Sequence, residues 1–496
     1  MLFNSAQFLV FFPVAVLCYA FIPRRLRTLW LLVCSYFFYM CWNAKYAILI
    51  AAATLVSYAA GLVIDRAGEE RKGVRRAALI SAFVIDLGIL FFFKYFNFTV
   101  ESISRALALA GAAPLRASLN VLLPVGISFY TFQALGYVAD VYRGEVPAEK
   151  NLLNYALFVS FFPQLVAGPI ERSKNFLPQL HDIKNIKVRD YDRITSGLAL
   201  MLWGFFQKIV LADRLAIVAD TVFEEPAAYR STALIAGMLA FTMQIYCDFG
   251  AYSNIAVGAA RVMGFRLMDN FDTPYFAEGI ADFWHRWHIS MSSWFRDYVY
   301  IPLGGNRKGR VRRYVNIMLT FLASGLWHGA NWTYVLWGAL HGAFQVIGDL
   351  LGRPVRAVLT RLSVKTEAFS FRLLKIAGTF TLVSFAWIFF RAESITDAFF
   401  YIGRIFTRPD PWALFDDSLY SLGLDRFEAH VLLAALVILV AVDLLRLLKK
   451  EELYAFLLRQ NLYFRWGVLL ALAVMIVVYG VYGVDFDSSQ FIYFTF

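Results

Sequence analysis

His328 lies in Ser324-Gly325-Leu326-Trp327-His328-Gly329-Ala330-Asn331-Trp332, an otherwise apolar stretch. An ionisable side chain at membrane depth costs free energy and tends to mark function. Histidine titrates near neutral pH, and burial favours its uncharged form, so an enclosed imidazole is a candidate proton acceptor. The flanking glycines imply that another backbone or a ligand comes close. His341, in Trp337-Gly338-Ala339-Leu340-His341-Gly342, is thirteen residues on, about 20 Å along a continuous helix. It cannot reach the same reacting atom unless the chain folds back, and a structural role in helix packing is expected for it.

A second stretch runs from Asp282-Phe283-Trp284-His285-Arg286-Trp287-His288-Ile289-Ser290 through Arg296 and Asp297 to Gly304-Gly305-Asn306-Arg307. On a helix, His288 would share a face with Trp284 and Ser292, and His285 could join them. Interfacial Trp, Arg and His also anchor helices at headgroup level, which is the competing account. Further polar groups in apolar surroundings are Asp86, Lys94, Asp140, Gln207, Asp213, Gln244 and Asp248. Asp86 and Lys94 read as members of hydrogen-bonded pairs at helix ends. Asp140 and Asp248, set among aromatics and glycines, are the stronger structural polar candidates. Together with His328 they would suit the relay of a proton-coupled transporter, but the paired broken helices and inverted repeats of that class are not found.

Several chemistries lose ground for want of a motif. The chain has no Gly-x-Ser-x-Gly elbow, no His-Glu-x-x-His and no Walker A lysine. The His-x4-Asp spacing of glycerolipid acyltransferases is also missing. Four cysteines, at 18, 34, 41 and 247, lie in apolar segments without Cys-x-x-Cys spacing, so they read as small buried hydrophobes and no metal site is expected. What remains is a base in an apolar interior with no nucleophile beside it in sequence.

The elements that must position these residues are membrane helices. Of 496 residues 60% are hydrophobic and 17% charged, with mean hydropathy +0.58; soluble domains carry about 25% charge. Apolar runs fall at 5–22, 28–50, 50–64, 77–98, 119–141, 151–168, 195–220, 232–260, 314–328, 331–350, 371–391, 429–447 and 465–483. Allowing for re-entrant and paired halves, they predict an all-α integral membrane protein with about eleven spans. No linker, repeat or low-complexity tract divides the chain, and a single domain over 1–496 is expected. The start, Met1 to Phe8, lacks a basic n-region and a cleavage site, so it is expected to be retained. The net charge of +11 is no nucleic-acid footprint. Its arginines and lysines cluster between apolar runs, at 24–27, 66–76, 307–313 and 446–459, and the positive-inside rule assigns these loops to the cytoplasmic side. Between about Asn270 and Arg313 the chain is too polar for lipid and too aromatic for a solvated loop, and is expected to form short helices at the interface or within the protein.

Asp282 to Arg307 and Gly325-Leu326-Trp327-His328-Gly329 resemble the membrane-bound O-acyltransferase family. The chain is most similar to the bacterial branch holding the membrane components of alginate and peptidoglycan O-acetylation, and less so to the D-alanyl transferase of teichoic acid modification. Leu123-Pro124-Val125-Gly126 through Arg143, Phe162-Pro163-Gln164 through Ile170, the opening Leu2-Phe3-Asn4-Ser5 and the ending Phe491 to Phe496 fit as well, with the signature core at about 120–345. His285, Asn254 and Thr495 depart from the family's usual arginine, aspartate and glutamine.

The resemblance implies helices around a central tunnel, with His328 as the essential histidine and His288 as the second signature histidine. Acyl transfer needs a base to take the acceptor hydroxyl's proton as oxygen attacks a thioester, which suits His328. His288 would orient the acceptor or stabilise the oxyanion. Trp287, Ser290, Arg296, Asn306, Arg307, Trp327 and Asn331 are the substrate- and donor-binding candidates. Arg296, Arg307 and Lys308 would attract a phosphate-bearing donor, acetyl-CoA or an acyl carrier's phosphopantetheine; no bound cofactor is expected. The expected activity is O-acetylation of a cell-surface polysaccharide from the bacterial inner membrane, with transfer of D-alanyl or another small acyl group as the alternative. A separate periplasmic or surface acyltransferase partner is expected to receive the acyl group or hand it on.

Overall fold

The computed structural model describes residues 1–115, 117–482 and Ile492. Thr495, with the rest of the 491–496 ending apart from Ile492, lies outside the described residues. Among the described residues the chain is helical, with no strand and one isolated antiparallel bridge, Phe271 to Trp287. In apolar surroundings a helix satisfies its own backbone groups, which is why a chain of this composition takes no other form. Side-chain caps mark several starts: Ser5, Asn151, Asn331, Ser394, Asp425 and Asn461 each accept a backbone N–H of the following turn.

The helices are α1 (Ala6–Phe21), α2 (Arg27–Asn43), α3 (Ala47–Ala67), α4 (Lys72–Leu90), α5 (Phe96–Leu109), α6 (Ile127–Arg143), α7 (Leu152–Ser160), α8 (Ser173–His181), α9 (Tyr191–Phe205), α10 (Asp213–Glu224), α11 (Ser231–Met263), α12 (Ile280–Arg286), α13 (Ile289–Phe295), α14 (Arg310–His328), α15 (Trp332–Arg361), α16 (Phe369–Arg391), α17 (Ile395–Thr407), α18 (Arg426–Lys449), α19 (Leu453–Leu458) and α20 (Leu462–Tyr479). They form two compact units, one of residues 1–201 with 255–268, the other of 202–254 with 269–496. Each is described by itself.

In the first unit α3, α4 and α6 pack together and α7 lies against α2 and α3. Every residue of α6 from Ile127 to Val141 is buried, so its Gln133 and Asp140 face protein. Gln133 and Gln164 both donate to the Phe158 carbonyl, at 2.9 and 2.7 Å. Asp140 accepts from Ser173 at 3.5 Å. Lys94 sits in a π turn (Phe91–Tyr95) and reaches Ser128 at 3.4 Å. Asp86 corrects its expectation: it is buried between α3 and α6, with neither carboxylate oxygen hydrogen-bonded.

The second unit is built around the α14–α15 hairpin, with α16 against α15. The hairpin is closed by glycine. A Cβ on Gly325 would stand 2.2 Å from the Tyr334 carbonyl, and one on Gly338 2.3 Å from that of Phe321. No L side chain fits there, so Gly325 serves backbone contact, while Gly329, immediately after His328, makes room for the Tyr334 ring. At the π turn Phe206–Ala212, which frees backbone carbonyls, Ile209 accepts from Val481 N–H at 3.1 Å. In the same turn, buried Lys208 contacts Asp248 at 2.6 Å and Asp213 at 2.9 Å.

Among the described residues eight helices, against about eleven expected, are long and apolar enough to cross a membrane: Arg24–Ala67 as one run, Lys72–Leu109, Tyr191–Glu224, Ser231–Met263, Trp332–Arg361, Phe369–Arg391, Arg426–Lys449 and Leu462–Tyr479. The surplus has identifiable causes. Runs 28–50 and 50–64 merge; 119–141 is helical only from Ile127; 151–168 yields a nine-residue helix and turns; and α14 carries Arg310, Arg312 and Arg313. Hydropathy does not separate an interior helix such as α6 from a spanning one.

Gly325→Val or Gly338→Val should drive the hairpin apart, and since the obstacle is backbone, the loss should exceed the ~1–3 kcal/mol of ordinary overpacking. Gly467→Ala, within α20 and with a Cβ that meets nothing within 4 Å, should instead raise the melting midpoint slightly, since alanine removes a helix-interior glycine cost of about 1 kcal/mol. Thermal unfolding of the purified variants in detergent checks both.

Candidate active site

Two short segments fix His288. Residues 270–272 run antiparallel to 286–289: Asp272 N–H donates to the Arg286 carbonyl and Ile289 N–H to that of Asn270, both at 3.0 Å. Between these bonds His288 takes a left-handed conformation, φ 41°, which suits few residues with a side chain. The neighbouring strap holds a second such residue, Thr273, at φ 45°. Left-handed backbone at non-glycine residues costs about 1–3 kcal/mol and persists only where surroundings enforce it. His288 therefore ends one helix and precedes the next. This overturns the expectation that it shares a helical face with Trp284, Ser292 and His285.

The side chain of Asn270 completes the arrangement. Its Oδ1 accepts from Ser290 Oγ at 2.6 Å and lies 3.3 Å from His288 Nδ1, while its Nδ2 donates to Ser253 Oγ at 3.0 Å. An amide oxygen carries no proton, so Nδ1 of His288 must donate, which makes Nε2 the nitrogen with the lone pair. His288 is wholly buried, and desolvation pushes its pKa down to about 3. It is a neutral imidazole with a defined tautomer, poised to accept a proton or a hydrogen bond.

His328 closes α14 and is likewise buried. Trp327, Trp337 and Phe390 surround its ring at centroid distances of 5.0, 5.1 and 5.4 Å, and His288 is 6.4 Å away. Phe249 stands edge-on to His288 at 4.6 Å. Two imidazoles in an aromatic box, so spaced, can address one bound hydroxyl from two sides. His341 takes no part in that pair. The chain does fold back, but Trp337 stands 4.9 Å from His341 and 5.1 Å from His328. Nδ1 of His341 accepts from Trp284 Nε1 at 3.2 Å, which ties α12 to α15.

Beside the histidines lies a cavity of about 310 Å³, its lining including Trp284, His285, Met291, Arg296, Arg313 and Ser324. Arg313, Ile317, Thr320 and Ser324 lie on one face of α14. The cavity thus runs from the arginine-rich start of α14 to a residue one turn short of His328.

The structure gathers some candidates and scatters others. Ser290 and Trp327 stand at the histidine pair. Trp287 is buried in the aromatic core, stacked on Phe283 at 5.4 Å. Arg296 lines the cavity while holding Asp297 at 2.8 Å. Asn306, Arg307 and Lys308 are exposed on the 301–309 turn and line neither this cavity nor the groove at the start of α14. Asn331 caps α15 through Thr333 N–H and donates to the Glu393 carbonyl, both structural contacts. Asp248 is engaged by Lys208 and by Ile492 N–H at 2.9 Å. Asp140 belongs to the other unit. Asn254 pairs with Gln207 at 2.7 Å. Among the described residues no cluster of three or more His, Cys, Asp or Glu that could hold a metal is found. Sequence reasoning missed Ser253, Trp337 and Phe390, and took Asn270 only as the start of an irregular stretch that ends at Pro274 and beyond.

In the folded state His288 resists protonation, whereas in the unfolded chain it titrates near 6.5. Unfolded protein therefore binds the extra proton, and stability should fall as pH drops below about 6.5, by at most ~1.4 kcal/mol per pH unit. His288→Asn, which tolerates the left-handed backbone, should flatten that acid limb in melts from pH 7 to 4. An unchanged slope would refute the assignment. Asn270→Leu, which removes the side-chain hydrogen bonds to Ser290, His288 and Ser253, should cost about 0.5–1.5 kcal/mol per bond.

Residues 146–381, which contain both histidines, match the family described as "MBOAT, membrane-bound O-acyltransferase family". The chain is 41% identical to the "Probable alginate O-acetylase AlgI" of Pseudomonas syringae pv. tomato, over 84% of this chain and 76% of that protein. Identity to the protein of the same name from Pseudomonas aeruginosa is 42%, covering 80% and 73%. Identity to the "Peptidoglycan O-acetyltransferase" of Helicobacter pylori is 34%, covering 80% and 78%. With such agreement over most of its length, and spanning helices around two enclosed histidines, the chain is a multi-pass membrane acyltransferase and belongs to the membrane-bound O-acyltransferase family.

Proposed function

We propose that the protein moves an acetyl group from a cytoplasmic thioester donor, acetyl-CoA or an acylated carrier, across the inner membrane for O-acetylation of a cell-surface polysaccharide, alginate-like or peptidoglycan. The observation that carries this reading is the pairing of His288 and His328 in an aromatic enclosure, approached along one face of α14 from an arginine-rich end. His328 acts as general base: it takes the acceptor hydroxyl's proton as the oxygen attacks the thioester carbonyl, and that proton goes on to the departing thiolate. His288, with its Nε2 lone pair set by Asn270, accepts a hydrogen bond from a second donor on the acceptor and so orients the reacting hydroxyl toward His328. This tautomer favours orientation over oxyanion stabilisation, since a lone pair cannot donate to an oxyanion. The tryptophans exclude water that would otherwise hydrolyse the thioester.

The acceptor is held on the far side of the membrane by a separate extracytoplasmic protein, which receives the acyl group or passes it to the sugar. The cavity along α14 takes the donor's thioester arm, with Arg296 and Arg313 facing its phosphate.

His328→Ala should lower acyl transfer by ~10²–10⁴-fold while leaving protein level, melting midpoint and polymer export unchanged. Cell-surface acetyl ester, measured chemically on purified polymer, is the readout. Normal acetylation with impaired export or solute flux would instead make the protein a transporter. D-alanyl ester lost in place of acetyl would change the acyl group and keep the mechanism. Arg296→Gln should raise the apparent KM for donor more than it lowers kcat.

A further inference from the structure

Away from the histidines, at the other end of the hairpin, a groove of about 970 Å³ lies between the first turn of α14 and the last stretch of α15, from Gly348 to Arg361. Arg310, Arg313, Arg353, Arg356 and Arg361 line it, with Asp349 as its one carboxylate, leaving a formal charge of +4. Asp349 is held by Arg313 at 3.2 Å and Tyr314 at 2.7 Å. Among the described residues Arg353, Arg356 and Arg361 have no ion-pair partner. The positive end of the α14 dipole adds to the field.

Two glycines also line the groove. Gly348 and Gly352 sit one turn apart within α15, where each costs about 1 kcal/mol relative to alanine. Gly338 and Gly342 in the same helix have a packing reason, since a Cβ on either would meet α14; a Cβ on Gly348 or Gly352 would meet nothing within 4 Å. Helix packing therefore does not explain them, and they keep the space between the arginines open.

The outer flank of this stretch has the opposite character. Leu350, Leu351, Val355 and Val358 are each about half exposed, at 48, 52, 50 and 55%. With 30 residues, α15 is about 45 Å long, more than the ~30 Å hydrocarbon core. Its arginine-bearing end therefore extends to headgroup level, with an apolar flank beside a cationic groove.

We propose that this groove is a binding site for one anionic phospholipid, whose phosphodiester sits among Arg353, Arg356 and Arg310 above the glycines and whose acyl chains run along the Leu350–Val358 flank. A ligand with both a negative head and hydrocarbon tails satisfies the two surfaces together, whereas a soluble phosphate compound would use only the groove. The site is independent of the acyl-transfer reading and can fail or stand without it.

The full-length protein, purified in a neutral detergent, is titrated with phosphatidylglycerol or phosphatidylcholine and followed by native mass spectrometry and thermal midpoint. Saturable retention of one phosphatidylglycerol, with a raised midpoint and little response to phosphatidylcholine, is expected. Arg353→Gln with Arg356→Gln should weaken the apparent affinity about tenfold or more. Gly348→Leu, which fills the groove without touching a charge or clashing in the fold, should weaken it as well. Equal response to both lipids, non-saturating uptake, or variants that bind like the parent would overturn the proposal. Displacement of phosphatidylglycerol by adenosine 3′,5′-bisphosphate would also overturn it and mark the groove as a nucleotide site.

Discussion

Asn270 holds His288, Ser290 and Ser253 through the two ends of one amide. In a wet site such a hydrogen bond would compete with water and contribute little; in an enclosed one, a missing partner costs the full desolvation of the group it abandons. The amide therefore decides which nitrogen of His288 carries the proton. The backbone pairing beside it decides where the ring points, at the cost of a left-handed residue. The aromatic box, the adjacent cavity and the helix termini all presuppose that this one orientation is kept.

The hairpin solves the matching problem for His328. Its helix ends at the histidine, and backbone contacts at Gly325 and Gly338 set the distance to α15, because backbone atoms do not yield as side chains do. Trp337, carried by α15, then separates His328 from His341. Two histidines of similar burial thus receive different work: one faces its signature partner, the other accepts an indole hydrogen bond and holds a short helix in place.

Much of this was legible in the sequence. Composition gave the class; the glycines beside the isolated histidine signalled that a backbone or ligand comes close, without saying which; and the two blocks around His288 and His328 carried the family. The count of about eleven spans is not reached by length and composition alone: α6 and α7 are apolar but short and buried in protein, and a run of residues does not reveal which solvent it meets. The helical wheel drawn through His288 failed for a different reason. A tertiary strap seventeen residues upstream imposes left-handed backbone there, and local propensity cannot register it. The role of Asn270 escaped notice because an asparagine near a proline looks like a turn, while that role depends on partners at positions 253, 288 and 290. Arg307 and Lys308, expected to attract a phosphate-bearing donor, lie exposed on the 301–309 turn, outside the cavity beside the histidines.

The ion pair at Lys208 has a consequence for biogenesis. Lys208 and Asp248 are 40 residues apart and can meet soon after both enter the membrane. The other carboxylate oxygen of Asp248 receives its hydrogen bond from Ile492, 244 residues later. At ~5–20 residues per second of synthesis, that oxygen waits about 10–50 s for its partner. During that interval the lysine pair alone keeps a buried carboxylate tolerable, and a nascent chain stalled in that window would present a half-satisfied polar centre to quality-control proteases.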